Sequence, residues 1–104
     1  MDISYTDLLG TWEIVESEVP GLVAGSEVYH FMADYLLMVE ITDDKGKQHR
    51  MQFKVKSRAD GLNLYSNSGK KYVEWHLEWH GEVLRLSHHL HSFKSLLRRR
   101  VVEA

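Results

Sequence analysis

The chain has 104 residues, a formal net charge of -2 and no cysteine. A length near ~100 residues supports one domain with its own core, so 1–104 reads as a single unit. Hydrophobic and charged fractions of 43% and 27% fit an ordinary soluble globular protein, the balance of charge gives no field for nucleic acid or an anionic membrane, and disulfide and thiol chemistry are excluded.

The start, Met1 to Asp7, lacks the basic and apolar stretches of a signal peptide, and no segment approaches the ~20 apolar residues of a membrane helix. Cytoplasmic residence is the expectation. The first nine residues fit one helical turn, capped by Thr6 or Asp7, with Leu8 and Leu9 covering an apolar floor.

From Gly10 onward the pattern is β. Thr11 to Ser17 and Glu27 to Phe31 read as strands, separated by Pro20-Gly21 and Ala24-Gly25-Ser26. Tyr35 to Ile41 follows a short turn at Ala33-Asp34. The run from Thr42 to Lys47 supplies Asp and Gly for a hairpin turn. In Gln48 to Lys56, Met51, Phe53 and Val55 alternate with Arg50, Gln52, Lys54 and Lys56. Leu62 to Tyr65 lies between turns at Asp60-Gly61 and Asn67-Ser68-Gly69. Tyr72 to Trp79 sets Val73, Trp75, Leu77 and Trp79 against Tyr72, Glu74, His76 and Glu78. His80-Gly81-Glu82 reverses it into Val83 to His88, and a last strand lies within Lys94 to Val102.

These are about eight strands at the ~8–12-residue spacing of a sandwich or barrel. Short connections favour a meander, and closing it removes exposed edges. The fold expected is therefore all-β, a small up-and-down antiparallel barrel. The opening Leu9-Gly10-Thr11-Trp12, the strand count, the terminal arginines and the hairpin Trp79-His80-Gly81-Glu82-Val83-Leu84-Arg85-Leu86 resemble the lipocalin and fatty-acid-binding (calycin) superfamily, especially its short bacterial lipocalin-like domains.

That resemblance implies a sealed barrel end, with Trp12 as the plug and an arginine of the last strand lying across its indole. Arg98 and Arg100 share a face, so either is expected to serve while Arg99 points away. The chain also departs from its relatives. Arg98-Arg99-Arg100-Val101-Val102 lacks the Arg-x-Tyr pair that holds a carboxylate in fatty-acid-binding proteins, and the second Gly-rich opening motif of the haem-binding nitrobindins is missing. No family ligand or cofactor is carried over.

Seven histidines are present, with His88, His89 and His91 clustered. Neighbouring strand residues point to opposite faces, so His88 and His89 cannot share one ion on a regular strand. No metal site is expected. The serines lack a nucleophile elbow, and the segment from Pro20 to Ser26 lacks the lysine of a phosphate loop. No catalytic residue is assigned. Arg50, Lys54 and Lys56 form a basic outer strip without the interleaved aromatics that single-stranded nucleic acid would need. On the same outer surface, Glu74, Glu78, His76 and Arg85 read as cross-strand pairs.

The inward set is Ile14, Phe31, Val39, Met51, Phe53, Val55, Leu64, Val73, Trp75, Leu77, Trp79, Leu84, Leu86 and one of Leu96 or Leu97. Hairpin parity carries His88 inward beside Trp75, where a core partner or a ligand must satisfy its imidazole. Phe53, Trp75, Leu77, Trp79, Leu86 and His88 are the candidate ligand-binding residues. A non-enzymatic barrel binding a small apolar or amphipathic molecule is the first reading. The alternative is a filled barrel serving protein interaction or a homodimer, with Tyr29, Leu36 and Met38 as an outer apolar patch.

Overall fold

Eight strands close into one barrel, each paired antiparallel with the next and the last with the first. The computed structural model describes residues 4–20, 22–88 and 93–100. The strands are β1 (Gly10–Ser17), β2 (Glu27–Met32), β3 (Leu36–Thr42), β4 (Gln48–Arg58), β5 (Gly61–Tyr65), β6 (Lys71–His80), β7 (Val83–His88) and β8 (Lys94–Arg99). A short helix α1 (Tyr5–Leu8) precedes them. The expected capping by Thr6 or Asp7 does not occur: Ser4 holds the N-cap position, and its side chain makes no capping hydrogen bond. Leu8 is fully buried, whereas Leu9 is exposed. Expectations for His89, His91, Val101 and Val102 fall outside the described residues.

Alternation fills the interior. Ile14, Phe31, Leu37, Val39, Phe53, Val55, Leu62, Leu64, Val73, Trp75, Leu77, Leu84, Leu86 and Leu97 form the core with Tyr5, Leu8, Trp12 and Tyr29. Trp79 packs against this core partly buried, and Met51 is exposed. Tyr29 is a correction. It shares the inward face of Phe31 and is only 5% exposed, so it cannot join an outer patch. Leu36 and Met38 do face outward, each partly covered.

Two register shifts shape the barrel. Between Ile14 and Glu16 the β1–β8 pairing slips by one residue, which lets Ile14 pair with Leu97 and Ser17 with Ser95. The Ser17 and Ser95 hydroxyls then meet at 2.8 Å. A second slip in β5–β6 opposes Leu64 to Val73 and Tyr65 to Lys71, leaving Tyr72 as the extra residue. Such bulges re-aim side chains, so Tyr72 reaches the same cavity as its neighbour Val73.

The two barrel ends differ. Trp12, 1% exposed, closes one end, and its indole N–H donates to Leu8 O at 2.9 Å. The hydroxyl of Tyr5 lies 2.6 Å from Met32 O and 2.8 Å from Leu36 O, fastening α1 over the β2–β3 hairpin. The turn of that hairpin gives Asp34 and Tyr35 positive φ values of 65° and 58°. A stack of Tyr35 on Tyr5, with centroids 4.7 Å apart, braces this costly backbone.

The arginine across Trp12 is Arg99, not Arg98 or Arg100. Its guanidinium carbon sits 4.5 Å from the ring centroid. Arg98 and Arg100 instead bind Glu13 on the outer wall, at 3.4 and 2.9 Å. Parity explains the correction: Leu97, not Leu96, is the inward leucine, and Arg99 follows it on that face.

Candidate functional site

The opposite end is where β1, β3, β5 and β7 finish and β2, β4, β6 and β8 begin. There the core residues stop short of the rim. A cavity of about 170 Å³ remains, walled by Tyr29, Phe53, Tyr72, Val73 and Trp75 among others. A smaller hollow of about 100 Å³ lies beneath Leu22, Leu86 and Phe93. Glu27, Tyr29 and His88 line both spaces.

The site is built from strand ends. Glu27 and Tyr29 are two residues apart on β2, so the pleat points both inward. The Tyr29 hydroxyl donates to Glu27 Oε2 at 2.5 Å. Burial, reinforced by the Glu27 charge, pushes the Tyr29 phenol well above its ordinary pKa. This proton therefore stays on the phenol throughout the neutral range.

Across the cavity, β6 and β7 place Trp75 opposite His88. The Trp75 indole N–H donates to His88 Nε2 at 3.3 Å, and the Tyr29 ring meets the Trp75 ring edge-on at 5.5 Å between centroids. Phe53 and Tyr72 pack at 5.1 Å to complete the aromatic wall. The arrangement offers apolar surface with a few polar groups, Glu27 and Tyr29 on β2 and His88 on β7, the usual composition of a small-molecule site. Among the described residues no group of three or more His, Asp or Glu side chains is placed to hold a metal ion.

The sequence-derived candidates divide. Phe53, Trp75 and His88 come together at this cavity, and Leu86 lines the smaller hollow. Leu77 lies in the packed core below. Trp79 is at the sealed end, 5.8 Å from Trp12 between ring centroids. Sequence reasoning missed Glu27, Tyr29 and Tyr72. The i, i+2 spacing of Tyr29 from Phe31 was a usable signal; the bulge that turns Tyr72 was not. A larger hollow of about 400 Å³ lies on the outer wall near Tyr35, Lys54, Lys56 and Tyr65. Lys54 and Lys56 there are exposed, so it lacks the enclosed polar groups of the interior site.

Eight meandering strands, a tryptophan-plugged end and an open opposite end define a lipocalin-like barrel. The chain is similar in structure to a lipocalin-like protein from Bacteroides uniformis, with a TM-score of 0.66 and 13% identity, over 90% of this chain and 99% of that one. It is similar also to an uncharacterized protein from Bacteroides eggerthii, with a TM-score of 0.62 and 13% identity, over 88% and 98% of the two chains. No family model and no curated relative matches the sequence. At such identity the likeness concerns the fold. Among the described residues no helix is long and apolar enough to cross a membrane.

Proposed function

We propose that the protein is a non-enzymatic binder of a small amphipathic molecule, held in the open-end cavity. One observation carries this reading: an aromatic cavity of about 170 Å³ gathers Glu27, Tyr29 and His88 at its wall. Drug-sized ligands occupy sites of roughly 300–1,000 Å³, whereas an apolar cavity near ~150 Å³ takes a benzene-sized molecule. The ligand is therefore small, with an apolar body and one polar end. Differential scanning fluorimetry with short-chain and single-ring compounds tests it, because a ligand that binds only the folded state raises the melting temperature. Saturable stabilisation with resonance shifts at Tyr29 and Trp75 is expected. A flat response across the whole panel overturns the reading.

A second reading draws on the rim, where Val23, Met51, Tyr72 and Phe93 are exposed apolar side chains. Such a ring would serve a homodimer or a protein partner docking mouth-on. Sedimentation velocity separates the two. The binder reading expects a monomer, and a dimer disrupted by Tyr72→Ser favours the interaction module.

A further inference from the structure

The cavity has a polarity of its own. Among the described residues, its lining and that of the adjoining hollow include one carboxylate, Glu27, beside the imidazole of His88, and neither lysine nor arginine. Among the described residues Glu27 takes part in no ion pair, and the Tyr29 hydroxyl is the donor that reaches it. One phenolic proton occupies one of roughly four acceptor positions on a carboxylate. The remaining positions can accept a charge-assisted hydrogen bond from a ligand that supplies positive charge.

Three donors in the walls of the two spaces are committed: the Tyr29 hydroxyl goes to Glu27, the Trp75 indole N–H to His88, and the Ser95 hydroxyl pairs with Ser17. Glu27 itself presents acceptor capacity amid aromatic surface, and ring faces attract cations. A carboxylate ligand would instead bring a second negative charge beside Glu27.

Resting on the binding reading above, we propose that the ligand's polar end is a protonated amine, seated against the Glu27 carboxylate and the rings of Tyr29, Tyr72 and Trp75. Its apolar end points down toward Val39, Phe53 and Leu64. The selectivity is the reverse of a fatty-acid carrier's: the cation enters and the anion is refused.

The test uses the full chain and three probes that differ only in head group: hexylamine, hexanol and hexanoate, at neutral pH. Binding is followed by NMR at the Trp75 indole and the Tyr29 ring. Hexylamine is expected to bind about tenfold more tightly than hexanol, as a charge-assisted hydrogen bond implies, and hexanoate most weakly. Glu27→Gln keeps an acceptor for the Tyr29 hydroxyl and should bring hexylamine down to the hexanol level. The order of the three probes on the unaltered chain decides the matter even if that variant fails to fold. Hexanoate or hexanol binding as tightly as hexylamine overturns the amine assignment while leaving the cavity reading standing. Failure of all three to bind overturns the amine assignment, and the cavity reading falls with it if the single-ring compounds also leave the melting temperature unchanged.

Discussion

The Arg99 guanidinium lies over the Trp12 ring, its carbon 4.5 Å from the centroid, while its terminal nitrogens donate to Leu9 O at 2.5 Å and Asp7 O at 2.7 Å. One side chain thus caps the plug and ties the N-terminal segment to the last strand. Gly10 beneath it is required by its backbone, whose φ of +123° strains any other residue, and a Cβ there would in addition approach the Arg99 guanidinium to 3.0 Å. A planar fork can stack and donate at once, and lysine cannot replace it.

Arg99→Ala should cost about 1–3 kcal/mol, from the lost stacking and the lost charge-assisted bonds to carbonyls. Arg98→Ala and Arg100→Ala break exposed pairs with Glu13 and should each cost less than about 1 kcal/mol. Urea unfolding of the three variants checks the ranking. Equal losses would mean that Arg99 has no special place.

Trp12→Ala removes a side chain only 1% exposed, together with its hydrogen bond to Leu8 O. A loss of ~3–5 kcal/mol is expected for such a large-to-small change. A melting temperature like that of the parent would contradict its role as the plug.

Stability should fall in alkali. Burial pushes the Tyr5 phenol from 10.0 to about 12, with the nearby Tyr35 adding to the shift, and Tyr29 is also raised. Both folded-state values lie above the unfolded one, so their contribution is complete below pH 10. It is lost as pH rises from there through the folded values, because the unfolded chain releases protons that the native state retains. Ultraviolet tyrosinate titration should show these phenols ionising only with unfolding. Ordinary titration of all tyrosines in the folded protein would be the contrary result.

At the acid side, the hydrogen bond from Arg100, with a smaller one from Arg98, holds the Glu13 carboxyl below its ordinary value of 4.5. A depressed folded-state pKa stabilises above the unfolded value and ceases to do so as pH falls through the folded one. The stability of Glu13→Gln should therefore depend less steeply on pH below 4.5 than that of the parent.

Gly61→Ala should be severe for a steric reason. A Cβ at Gly61 would lie 1.8 Å from the Trp75 carbonyl oxygen, so β5 or β6 must move. About 3 kcal/mol or more is expected, at the upper end of overpacking changes. A variant as stable as the parent would mean that the strands separate there without cost.

Most of the barrel was legible in the chain. Strict alternation in β4, β6 and β7 identified the inward faces, and Asp- and Gly-containing turns marked the hairpins, because the two-residue side-chain period and positive-φ turn chemistry are local properties. The Trp79–Leu84 register likewise carried His88 to Trp75 without any structure. Tertiary pairing decided the rest. Leu96 and Leu97 are equally apolar neighbours, and pairing with β1 selects Leu97, hence Arg99 rather than Arg98 or Arg100 for the seal. The slips at Val15 and Tyr72 change which face a strand presents, and a bulge forms where two strands must stay paired around a curved wall. The joining of Glu27, Tyr29, Tyr72, Trp75 and His88 into one cavity depends on closure of the barrel, which brings separate strand ends to a single mouth.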